Sequence, residues 1–219
     1  MFSNDMRRYL VTRTGLGTLV LTFISLLTIP AAWAHHPFGG GTPSNFIQGL
    51  LSGLGHPVIG LDHLAFVVAI GLLAVLRGKK GLVLPLAFTV ATALGTLTHL
   101  QSIDLPLPEL IIAVSVLAIG LALGLQRDFN LVLLTILGSI AGLFHGFAYG
   151  EAIFGAEMTP TIAYLIGFAS IQLVISAIAF YLGQTTLANI QQRTSLPLRF
   201  AGSAIAGIGM TFISGAILG

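Results

Sequence analysis

His56, Asp62 and His63 fall within the stretch Gly55-His56-Pro57-Val58-Ile59-Gly60-Leu61-Asp62-His63, at the start of an apolar run that reaches Leu76. Two imidazoles and a carboxylate are nitrogen and oxygen donors suited to a divalent transition-metal ion. On a regular helix His56 and His63 share a face but stand two turns and about 10 Å apart, too far to hold one ion together. Pro57 lacks an amide hydrogen and Gly60 lacks a Cβ, so the spacing predicts a loop or distorted turn that folds His56 back towards Asp62 and His63. Such a break at membrane depth is tolerated where it is buried in protein or lines a wet cavity. An aspartate near the centre of a membrane helix costs roughly 2.5–3.5 kcal/mol, and a bound divalent cation would offset that cost. The plainer reading is a helix-capping aspartate beside hydrogen-bonded histidines; ionisable groups clustered inside a membrane favour metal or proton handling over it.

A second stretch, Phe144-His145-Gly146-Phe147-Ala148-Tyr149-Gly150-Glu151, adds an imidazole, with Tyr149 one turn further on the same helical face. His99 ends an earlier apolar run, where an interfacial or core histidine is the ordinary role. Its expected level, shared with His56, Asp62, His63 and His145, adds it to the candidate donors. Glu151 stands at the mouth of the span that carries His145, either attracting a cation or simply solvated. His35 and His36, if they begin the processed chain, set a free α-amine beside two imidazoles. That trio can scavenge a divalent ion, with a plain hydrophilic tail as the alternative.

Composition says what holds these groups in place. The 219 residues are 55% hydrophobic and 7% charged, with a mean hydropathy of +0.98, against roughly 25% charge in a soluble domain. The expectation is an all-α fold, a polytopic membrane helix bundle of about six transmembrane helices after a cleavable signal peptide. Residues 1–34 carry Arg7, Arg8 and Arg13, a short apolar run and Ala32-Trp33-Ala34, the order of a secretory signal cleaved to leave His35 first. Residues 35–55 read as an exported His/Gly-rich tail and lead-in segment. Residues 56–219 hold the membrane domain, with spans at about 56–76, 81–100, 108–125, 131–150, 160–182 and 198–218. Gly138, Gly142, Gly146 and Gly150 recur every four residues in the fourth span, a smooth strip against which another helix can pack.

Loop charges set the orientation. From an exported N-terminus, the loops bearing Arg77, Lys79 and Lys80, then Arg127, then Arg193 and Arg199 all fall in the cytoplasm, while Asp104, Glu109, Glu151 and Glu157 fall outside. The expected location is a bacterial cytoplasmic (inner) membrane, multi-pass, with the mature N-terminus outside. The absence of cysteine leaves nitrogen, oxygen and a few thioethers as metal donors, and makes copper(I) a poor candidate. Nine scattered Lys and Arg give no footprint for nucleic acid. Gly78-Lys79-Lys80 lacks the first glycine and the Ser or Thr of a phosphate-binding loop. A serine protease built on Ser139 lacks a histidine base on a later span. A haem-binding electron-transfer subunit, using paired histidines such as His99 and His145, is the alternative function.

The stretch from His56 to His63 resembles the HxxxxxDH signature of the HupE/UreJ family, secondary nickel and cobalt transporters associated with hydrogenases and ureases. Phe144-His145-Gly146 and the residues after it resemble that family's FHGxAHGxE signature. Tyr149 stands where the second histidine is expected, and Glu151 comes one residue early, with Ala152 at the family's glutamate position. The likeness extends over nearly the whole chain. It implies uptake of Ni²⁺ or Co²⁺ as substrate, without a resident cofactor and without enzymatic activity, with His56, Asp62, His63 and His145 as metal-contacting positions. The ion and the lipid bilayer are the expected partners, and the oligomeric state stays open.

Overall fold

A computed structural model of the protein describes residues 41–126, 129–188 and 195–218. The expected signal peptide, His35, His36, Arg127 and Arg193 lie outside the described residues. Asn45 starts α1 (Phe46–Ile59) by accepting the Gln48 amide at 3.0 Å, while Gln48 Oε1 accepts from the Ser44 amide at 2.9 Å. The first of these bonds occupies an amide that the helix's first turn leaves open, and the second ties the side chain back to the residue before the cap. A helix therefore occupies residues 46–55, which sequence alone places in the lead-in segment.

The expected break is present, at Gly60 and not at Pro57. Pro57 stays within the last turn of α1, and the backbone leaves the helix at Gly60, with φ −71° and ψ 104°. Gly60 N donates to His56 O at 3.1 Å and Gly60 O accepts from Leu64 N at 2.8 Å, so one residue closes α1 and opens α2 (Leu61–Val75). The two helices meet at 79°. Because this φ is open to any residue, glycine's contribution is room: a Cβ at Gly60 would lie 2.6 Å from His63 Cδ2.

A 3₁₀ turn at Gly78–Leu82 leads to α3 (Val83–Leu100), then α4 (Pro108–Leu125), α5 (Leu131–Glu151), α6 (Met158–Ala188) and α7 (Leu196–Leu218). Among the described residues five helices are long and apolar enough to cross a membrane, and the bent α1–α2 pair makes a sixth when taken as one span. The first span thus begins at Phe46, ahead of His56, which moves the histidines from its mouth into its interior.

Close backbone approach sets the helix pairs. Along the parallel α3 and α5, a Cβ at Gly146 would lie 1.9 Å from Thr92 O, and one at Gly142 2.9 Å from Phe88 O. Gly138 is different, touching only the Ile70 side-chain tip at 3.4 Å. The glycine strip therefore works as a packing face over most of its length. α4 and α7 run antiparallel, with Gly202 against Gly120 and Gly209 against Leu117. α6 lies first along α1, where Gly53 meets Tyr164 O, and then along α2, where Gly71 meets Ser176 O. α2 is the central element, its Phe66, Val67, Ile70 and Ala74 buried among neighbours. Val90, Ile136 and Ile178 are exposed, forming the apolar exterior that a bilayer covers.

One end of the bundle gathers the basic groups. The Arg77 guanidinium donates to Phe129 O. Gln126 Nε2 donates to Ser195 O at 3.2 Å while Ser195 N donates to Gln126 Oε1 at 3.0 Å. These contacts tie the loops after α2 and α4 to the start of α7, close in sequence to Lys79, Lys80 and Arg199. Asp104 and Glu157 belong to the loops at the opposite end.

Candidate metal site

The break at Gly60 aims α1 and α2 at the same interior point. His56, in the last turn of α1, and His63, in the first turn of α2, have ring centroids 5.8 Å apart, nearer than a straight helix would allow. His145 reaches His63 from α5, with the two Nδ1 atoms 2.8 Å apart. Tyr149, one turn along α5, packs its ring 4.8 Å from His56 and 4.7 Å from His63. All four side chains are at most 1% exposed.

Hydrogen bonding orders the protons. Ser115 Oγ on α4 lies 2.7 Å from Ile112 O, to which it donates, and 3.0 Å from His145 Nε2. A hydroxyl has one proton, so His145 Nε2–H donates to Ser115 and His145 Nδ1 accepts from His63 Nδ1–H. His63 Nε2 is then the lone-pair nitrogen, the form that ligates a metal. Two nitrogens sharing a tetrahedral ion stand about 3.3 Å apart. To hold one jointly through these Nδ1 atoms, the His63–His145 pair needs to open by about 0.5 Å and His63 to carry its proton on Nε2 instead.

Asp62 is partly buried, and its Oδ1 accepts from His63 N at 2.8 Å, as a residue in the first turn of α2. Asp62 is not the cap of α2, since Gly60 is its N-cap and no side chain caps it; the carboxylate instead holds the amide of the next residue inside the first turn. Among the described residues no three His, Asp or Glu side chains are assembled as a ready ion cage. What the fold brings together is His56, His63 and His145 around Tyr149. His99 stands elsewhere, its ring 4.5 Å from Phe147 and 5.6 Å from Phe154, with its Cβ against Gly150. Glu151 ends α5 and is exposed.

Several neighbours carry no sequence signal. Tyr164 Oη donates to Tyr149 O at 2.8 Å, fixing the end of α5 against α6. Phe66 and Phe88 stack with centroids 4.8 Å apart, and both touch the His145 ring. This apolar pair caps the histidines on one side. Ser115 and Phe66 lie in uniformly apolar stretches, where only the rotation of each helix reveals which side chains face inward.

A buried histidine group at a broken helix, enclosed by apolar helices, defines a polytopic membrane protein with a polar site in its interior. The chain belongs to the HupE/UreJ family, a transporter-type family: the family model described as HupE / UreJ protein matches residues 22–212. It is 30% identical over 197 residues, 90% of this chain and 97% of the other, to Protein HupE of Rhizobium leguminosarum bv. viciae. No solved structure matches the chain.

Proposed function

We propose that the protein carries Ni²⁺ or Co²⁺ into the cytoplasm across the inner membrane, using the histidine group at the α1–α2 break as its transient site. The observation that carries this reading is the His63–His145 contact, which joins the two family signatures at one buried point. His56, His63 and His145 supply imidazole nitrogens, and Asp62 offsets the ion's charge. Tyr149, seated between His56 and His63, is displaced or recruited as a weak oxygen donor when the ion arrives. Glu151 draws the cation to the outer mouth. An inside-negative potential of 100 mV contributes roughly 4.6 kcal/mol for an inward-moving divalent ion, so ATP is not required.

The test is uptake of labelled nickel and cobalt by cells lacking other carriers for these metals, with and without the protein. Uptake of neither above background would end the proposal. The orientation rests on the basic end of the bundle facing the cytoplasm. In this cysteine-free chain, Asp104→Cys is expected to react with an impermeant thiol reagent in intact cells and Lys79→Cys only after lysis. The reverse pattern would invert the proposed direction of the site.

A further inference from the structure

The outer face of the α3–α5 pair carries a groove of about 590 Å³, away from the histidine group. Small side chains make its floor, Ala87 and Ala91 from α3 with Thr135 and Ser139 from α5, and larger exposed ones such as Val90 and Ile136 make its walls. Thr135 Oγ1 donates to Leu131 O at 2.8 Å within its own helix, so its hydroxyl is already satisfied and the groove offers a guest mainly carbon. Ala91 also meets Gly142 across the α3–α5 contact, so whatever fills the groove braces that contact from outside. Length and charge say what fills it. From Val83 to Leu94 the groove follows α3 for eleven residues, about 16 Å. The hydrocarbon core of a bilayer is about 30 Å thick, so the groove is as deep as one leaflet.

The groove starts at the basic end of the bundle. The 3₁₀ turn runs directly into α3, and Lys79 continues the exposed row Val83, Leu86, Val90 and Leu94 at helical intervals of three and four. Lys80 is its neighbour, and both lysines are exposed. Among the described residues no carboxylate stands at this end: Asp104, Glu109, Glu151 and Glu157 lie at the opposite one, and Asp62 at the far start of α2. We infer that the groove holds one acyl chain of an anionic phospholipid from the leaflet at the basic end, with the lipid phosphate on Lys79 and Lys80. The two ammonium groups attract the phosphate while the chain lies against the small side chains, and together they select a charged lipid over a neutral one. A second copy of the chain fits less well, because its helices would cross both leaflets whereas the groove stops at Leu94. The inference is independent of the metal carried.

Purified full-length protein in detergent, titrated with palmitoyl-oleoyl phosphatidylglycerol or with the phosphatidylcholine of the same chains and followed by native mass spectrometry, tests the site. The wild-type protein is expected to bind the anionic lipid at least about fivefold more tightly, the factor that one lysine contributes at a charged lipid. Lys79→Gln/Lys80→Gln leaves the groove intact and should lose that preference. Ala87→Leu puts branched carbon on the groove floor and should weaken binding of the anionic lipid at least about threefold, with the thermal midpoint in the absence of lipid kept. Should Ala87→Leu lose stability, the lysine variant, which alters no packed side chain, decides the matter. Equal binding of the two lipids by the wild type, or a preference kept by the lysine variant, would overturn the inference. So would a stable Ala87→Leu protein that binds as the wild type does, or a wild-type dimer that Ala87→Leu turns into a monomer, which would give the groove to a second copy.

Discussion

His63→Ala is expected to lower nickel and cobalt uptake at least about tenfold at limiting metal. Changes in the groups that merely support a ligand already cost 10–100-fold in metal affinity, and His63 occupies the centre of the buried group. It meets His145 through Nδ1 and packs beside both His56 and Tyr149. Its removal also leaves His145 Nδ1 without its donor. Asp62→Asn should do comparable harm for another reason. Asparagine can still accept from the His63 amide at the first turn of α2, so the helix start is kept while the charge is lost. The divalent ion then reaches the histidine group with no adjacent negative charge to compensate it. His56→Ala should resemble these two, since the break at Gly60 brings its ring within 5.8 Å of His63. Uptake by cells with matched membrane levels of each variant decides the matter. Unchanged transport in both His63→Ala and Asp62→Asn would reduce the break to packing and capping.

Gly146→Ala is expected to be the most disruptive single methyl group in the bundle. The added carbon would lie 1.9 Å from Thr92 O and 2.5 Å from Thr92 C and Cα. Those are backbone atoms, so relief requires α3 and α5 to separate. Overpacking of this kind costs typically about 1–3 kcal/mol and occasionally more. The midpoint of thermal denaturation in detergent should fall by about 5 °C or more. Uptake should fall too, because His145 is the adjacent residue and moves with the helix. Gly138→Ala is the control on the same strip. Its carbon would touch only Ile70 Cδ1 at 3.4 Å, and alanine's better helix propensity, worth about 1 kcal/mol, offsets any crowding. Equal stability of the two variants would show that the strip is not a backbone contact face.

Much of this architecture is legible before any fold is known. Long apolar runs choose the bilayer over water whatever their neighbours, and therefore the spans from residue 83 onward fall close to where hydropathy puts them. The first span differs because Phe46–Ile59 is too short to cross alone and joins its partner only through a 79° bend, a geometry that no hydropathy window sees. A weakness in the chain near Pro57 and Gly60 is readable from their chemistry. That the helix tolerates Pro57 in its last turn and bends at Gly60 is settled by the His63 ring, which occupies the space a Cβ would take.

For the site, the residue types alone name the groups that can meet a cation, since imidazole and carboxylate chemistry belongs to the residue and the two signatures are local. Which of them meet depends on how the helices pack. His63 and His145, 82 positions apart, touch, while His99 turns to Phe147 and Phe154, and Ser115 and Tyr164 enter from helices with no visible signature. The cause is rotation. A helix apolar on every side can turn any face to the centre, and its angle is fixed by contacts such as Gly146 on Thr92 and Gly53 on Tyr164, which depend on partners far away in the chain.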